Sequence, residues 1–143
     1  MLVSAGNYLS QGYSCSQVMM MMSMHCLQMK DENIIKAMKG LSGGMGIRHA
    51  CGIVTGAACA FSLAAPERGL TELFPLFYEQ FHHTYGDDAG GINCIELLNG
   101  DFESHRQICP DMIEKSWDMA YSVLKSNGFC CEQIKRKSED DAR

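Results

Sequence analysis

The sequence predicts an all-α fold, and three observations carry that prediction. Apolar residues recur at helical spacing through most of the chain. No stretch shows the period of two that a half-buried strand needs, and helix-capping patterns stand at the head of several apolar runs. The expected architecture is a single-domain bundle of five or six helices around a central buried helix at about 49–65. A chain of 143 residues, 46% hydrophobic and 20% charged, is long enough to bury one real core without disulfide staples. The expected domain is 1–131, and the polar tail 132–143 is expected to fray.

Taken in order, Val3 to Leu9 fits a short helical lead-in. The first strong helix opens at Ser14-Cys15-Ser16-Gln17, where Ser14 and Gln17 have capping-box spacing, and runs through Val18, Met22 and Cys26 to about Met29. Asp31 suits the N-cap of a second helix carrying Ile34, Ile35, Met38 and Leu41, which ends in the glycines of Ser42 to Gly46. Those glycines, with Arg48 and His49, read first as a helix-ending turn and only second as an anion cradle.

The third helix, about His49 to Ala65, is apolar or small nearly throughout, which implies burial on most sides. Gly52, Gly56 and Ala60 form one small-residue stripe on it, beside a second of Cys51, Thr55 and Cys59. Glycine inside a helix costs about 1 kcal/mol against alanine, so this spacing predicts close approach by a neighbour. Thr71 opens a fourth helix through Leu73, Phe77 and Phe81 to Tyr85, with Pro75 tolerated near its start, and Gly86 to Gly91 reads as a loop. Asn93-Cys94-Ile95-Glu96 repeats the capping-box pattern ahead of a short helix ending near Gly100. Asp101 to Ile108 reads as irregular or a single turn. Cys109-Pro110-Asp111 then opens the last helix, with Cys109 at the cap and proline at the first helical position, and Gly128 ends it.

Composition removes several function classes. A net charge of -5 with no basic cluster beyond Lys135-Arg136-Lys137 argues against nucleic acid or an anionic membrane as partner. Met1 to Ser14 has neither a basic nor a long apolar segment of a secretion signal, and Val18 to Met22 is too short to span a bilayer. The expected compartment is therefore the cytoplasm. There the eight cysteines are expected to be reduced, metal-bound or redox-active rather than structural disulfides. The eleven methionines, Met19 to Met22 among them, read as adaptable core filling.

Cys15, Cys51, Cys94 and Cys109 each fall in the first turn, or at the cap, of a separate expected helix. Free N–H groups and the helix dipole favour a thiolate there, as nucleophilic attack and metal ligation both require. Four thiolates brought together would repel, so a metal or cluster must supply positive charge or the thiols must pair for part of a cycle. Cys26 and Cys59 read as packing residues, and Cys130 and Cys131 sit in a frayed end. His49 and His105 are second-rank candidates for proton donors or auxiliary ligands. His82-His83 carries no functional expectation. No C-x-x-C, Walker A or complete G-x-G-x-x-G occurs.

The order Gly12-Tyr13-Ser14-Cys15-Ser16-Gln17, Gly43-Gly44-Met45-Gly46, Cys51-Gly52-x-x-x-Gly56, Cys94 before Glu96-Leu97-Leu98, and finally Cys109 resembles the redox-active proteins named for the C_GCAxxG_C_C cysteine pattern. The resemblance spans about residues 10–127. It implies redox activity through Cys15, Cys51, Cys94 and Cys109, the four that the helix-start argument selects. A relation of that family to part of the split-Soret cytochromes implies an iron-sulfur cluster or other iron centre as one use of them. Ile53 stands where the pattern commonly has alanine, a larger side chain beside Cys51 that takes room from a cofactor.

The expected function is redox or electron-transfer chemistry at this four-cysteine centre. It either binds an iron-sulfur cluster or another metal, or cycles between dithiol and disulfide as a cysteine-based oxidoreductase, with an unidentified redox partner. In the metal-free form Cys51 is the expected nucleophile because Arg48 and His49 lie beside it in sequence. The alternatives are a structural zinc module and a helical interaction module without redox chemistry. A homodimer is compatible with the sequence but no feature of it calls for one.

Overall fold

Ser14 and Gln17 close the capping box that the sequence announces: the Ser14 N–H donates to Gln17 Oε1 at 3.0 Å, and helix α2, Cys15–Cys26, follows. The computed structural model describes residues 4–130, so Cys131 and the tail expected at 132–143 lie outside the described residues. Ahead of α2 the lead-in is helix α1, Ala5–Ser10, capped by Ser4. Asp31 caps α3, Glu32–Met38, accepting from the N–H groups of Asn33 and Ile34. A single 3₁₀ turn, Lys39–Leu41, then leads into the glycine loop.

That loop is more than a helix end. Gly43, Gly44, Met45, Gly46 and Arg48 all have positive φ, so the chain winds left-handedly from the end of α3 to the threshold of the central helix. Helix α4 spans Gly52–Ala64 with Cys51 at its N-cap. His49 and Ala50, expected inside it, instead lie in extended chain: Ala50 forms an isolated antiparallel bridge with Asn93. No strand forms among the described residues, and the fold is all-α as expected.

Helix α4 is buried along Gly52, Ile53, Val54, Gly56, Ala57, Ala60 and Phe61, which makes it the core helix. Its glycine stripe meets α2, as the spacing predicts. A Cβ built on Gly56 would stand 3.0 Å from Ser16 O and 3.3 Å from Met19 Cβ, closer than packed side chains tolerate. The methionines of α2 fill the seam, Met19 and Met22 fully buried and Met20 and Met24 nearly so. Cys59 is exposed, against the expectation that it packs. Positions four apart advance about 40° around a helix, so a stripe that starts buried at Cys51 has rotated out of the core two steps later.

Beyond α4 the chain is more continuously helical than expected. Wide π-type turns at Gly69–Leu73 and His82–Gly86 flank α5, Phe74–Phe81, and α6, Asp87–Ala89, follows directly. The expected loop thus begins only at Gly90, where φ turns to 85°. Asp87 holds the continuation by accepting from His82 Nδ1 at 3.0 Å. The second capping box is present at α7, Cys94–Leu97, with the Asn93 N–H donating to Glu96 Oε1 at 3.0 Å.

The last helix, α8, spans His105–Ser126 and starts five residues before the expected position. Pro110 is therefore inside it and Cys109 is in its second turn rather than at its cap. A 3₁₀ turn at Phe102–Ser104, tied by Asp101, nucleates the early start. Trp117, Ile113 and Leu124 of α8 are fully buried against the same core. At the far end of the bundle Cys26 is bonded to Cys130 across 104 residues, with Cα atoms 4.9 Å apart. Cys26 packs in the core as expected but is also bonded, and Cys130 is tied down rather than frayed, so the pair joins the end of α2 to the chain just past α8.

Candidate functional site

Four chain segments deliver cysteines to one end of the α2–α4 seam, and a few backbone bonds fix where they arrive. Cys15 is the first residue of α2, and Cys51 caps α4. Cys94 opens α7 and is pinned beside Cys51 by the bridge at Ala50 and Asn93. There the Cys51 N–H donates to Ile92 O at 3.0 Å and the Cys94 N–H to His49 O at 2.6 Å. Cys109 comes from the second turn of α8. All four line one cavity of about 770 Å³, together with Ile53 on α4. Ile53 is fully buried, so the residue that departs from the pattern takes up room at the site itself.

Burial dominates the electrostatics of the four thiols. It pushes Cys15 up, and backbone N–H groups of Gly43, Ser16, Cys15 itself and Gly52 oppose it only in part. Cys51 is raised the most, by burial and then by the Cys15 thiol, despite the N–H groups of Ile53 and Val54 at the start of α4. Cys109 is pushed up to about 12 by burial and by Cys15 and Cys94. Cys94 is raised by burial and Cys15, while the Arg48 guanidinium pulls it down. Cys15 thus acts on each of the other three. The thiols are neutral at rest, and ionising one makes ionising the next harder.

Arg48 is the cation that acts on these thiols, held by features that sequence reading missed. Its Cζ lies 3.5 Å from the centroid of the Phe102 ring, and Phe102 stacks on His105 at 4.4 Å and 15°. Its Nη1 donates to Gly43 O at 3.3 Å, and His105 Nδ1 lies 2.8 Å from Phe102 O. The three rings and planes come from a loop, a 3₁₀ turn and a helix start, and no local pattern links them. His105 lines the cavity, but the side chain of His49 is exposed and does not. His49 contributes through its backbone. Arg48 and His49, expected to activate Cys51, do not do so: His49 is turned out to solvent and Arg48 acts on Cys94.

The donor set is four soft sulfurs, the ligand type and number of an iron-sulfur cluster, and the cavity has room for one. Among the described residues, however, no three His, Cys, Asp or Glu side chains group as a single bound metal ion requires. No described helix is long and apolar enough to cross a membrane.

An all-α fold whose cysteines gather from separate helices onto one cavity defines a four-cysteine helical protein. A family model described as "Putative redox-active protein (C_GCAxxG_C_C)" matches residues 13–123. The chain belongs to this family. No curated protein and no solved structure matches it.

Proposed function

We propose that this chain is a redox protein that works through Cys15, Cys51, Cys94 and Cys109. The observation that carries the reading is that all four line one cavity although they come from four separate helices. Unrelated packing cysteines have no reason to converge. In the thiol form, Cys94 is the favoured attacking thiol because the Arg48 guanidinium opposes the rise that burial and Cys15 impose on it, and Cys15, which acts on each of the other three thiols, is the favoured resolving partner. Cys51 and Cys109, raised the most, hold their protons longest.

A second reading is favoured by the reluctance of these buried thiols to ionise. Four buried thiols that oppose one another's ionisation lose that penalty when a positively charged group binds them as thiolates. An iron-sulfur cluster held by the same four residues would supply one-electron transfer. The backbone N–H groups around Cys15 and Cys51 would then serve to set the potential.

Protein purified without oxygen distinguishes these forms by elemental analysis, a visible spectrum and thiol counts in native and denatured states. Iron with sulfide and a broad visible absorption, lost in Cys51→Ser, selects the cluster. Metal-free protein whose cavity thiols increase by two or four on reduction selects the dithiol. Metal-free protein with all four cavity thiols free under oxidising and reducing conditions alike would remove both.

A further inference from the structure

The wall of the cavity has a charge that the chain as a whole does not. The protein carries 17 acidic and 12 basic residues, yet no aspartate or glutamate lines the cavity, whereas Arg48, Arg106 and His105 do. Neither arginine enters an ion pair among the described residues. Arg48 is held in place by stacking on Phe102 and by one bond to Gly43 O, which occupies one of its five N–H donors and leaves a preorganised fork for an anion. His105 and Arg106 are the first two residues of a 22-residue helix, where the dipole disfavours cations unless an anion sits with them. The volume, about 770 Å³, is in the range of organic ligands and far beyond what one ion needs.

We propose that this cavity binds a small organic disulfide bearing carboxylates, with the carboxylates on Arg48 and Arg106 and the sulfurs toward the cysteines. The proposal rests on the thiol form of the redox function above. The exchange balances as follows. One cavity thiol gives up its proton and attacks a sulfur of the ligand, whose S–S bond breaks, and the departing half leaves as a thiol with that proton. A second cavity thiol then attacks the chain's own sulfur in the mixed disulfide and releases the other half, again with the proton that it lost. Two cysteines are oxidised, and one ligand disulfide is reduced to two thiols. The ligand is itself the oxidant.

The test exposes reduced protein under nitrogen to glutathione disulfide, an anionic probe, and to 2-hydroxyethyl disulfide, a neutral one. Oxidation of each cysteine is followed by differential alkylation and mass spectrometry. Cys59, exposed on α4 and outside the cavity, is the internal reference. Relative to Cys59, the cavity cysteines should prefer the anionic probe by about tenfold, the scale of one or two charge-assisted contacts. The double variant Arg48→Gln, Arg106→Gln should lose that preference. Arg48→Lys, which keeps the charge and changes the stacking, should retain most of it. Equal reactivity toward both probes in the natural chain, or a preference that survives in the double variant, overturns the anion site and leaves the thiol chemistry standing. If Cys59 reacts and no cavity cysteine does with either probe, the thiol reading itself falls and the proposal with it.

Discussion

Gly52 and Cys15 are fitted to each other: a Cβ on Gly52 would stand 2.5 Å from the Cys15 sulfur and 3.1 Å from Leu41 O. The first residue of the central helix is glycine because the first cysteine of α2 rests on it, with the Gly52 N–H turned to that sulfur. Gly52→Ala should therefore destabilise the fold by about 1 to 3 kcal/mol, the usual cost of overpacking a tight seam. It should also raise the alkylation rate of Cys15 relative to Cys59. Urea denaturation with residue-resolved alkylation reads both, and an unchanged midpoint with unchanged Cys15 reactivity would contradict this packing.

The alkaline limit of stability should report on Cys109. Its folded acidity is shifted from an ordinary 9.0 to about 12, so between those values the unfolded chain has released a proton that the native one keeps. Stability from this group is full below about pH 9 and is lost as pH rises toward 12. Cys109→Ser should flatten the fall in denaturation midpoint over that window. An equally steep fall in the variant would show that other groups cause it.

The Cys26–Cys130 bond should stabilise the fold whatever happens in the cavity. It closes a loop of 104 residues, and cross-links of that reach typically contribute about 2 to 4 kcal/mol. Cys26→Ser with Cys130→Ser should lower the urea midpoint by the corresponding amount, whereas the number of thiols protected in Cys15, Cys51, Cys94 and Cys109 should not change. A midpoint insensitive both to these substitutions and to reductant would speak against the bond.

The cap of α7 should matter for one cysteine in particular. Asn93→Ala removes the side-chain half of the capping box and should cost about 1 kcal/mol. Cys94 sits one residue on, so its alkylation should accelerate more than that of Cys51. Uniform acceleration of all four cavity cysteines would mean that the bundle loosens as a whole.

Much of the fold was legible because its signals are local. The boxes at Ser14 and Asn93, the Asp31 cap and the Gly52/Gly56 stripe each state their geometry within a few residues, and the helices follow them. The errors have equally physical causes. Cys109-Pro110 imitates a helix start, but the polar residues from His105 onward continue a helix nucleated by the turn at Phe102. Cys26 and Cys130 are distant in sequence, so spacing says nothing of their pairing. Arg48 meets Phe102 and His105 only because a left-handed loop turns it inward, and a φ of 65° at an arginine has no sequence signature. The four candidate cysteines could be named from the sequence; the basic wall facing them could not.

The measurement that bears most directly on the four-cysteine centre is a redox titration of anaerobically purified protein. Samples poised at defined potentials are read by visible absorption and by the alkylation state of each cysteine. The account predicts one potential-dependent transition that involves the cavity cysteines or a chromophore bound to them, abolished when Cys15, Cys51, Cys94 and Cys109 are all changed to serine and unaffected by Cys59→Ser. Four cavity cysteines that stay free thiols across the whole range, with no chromophore and no transition, would contradict it.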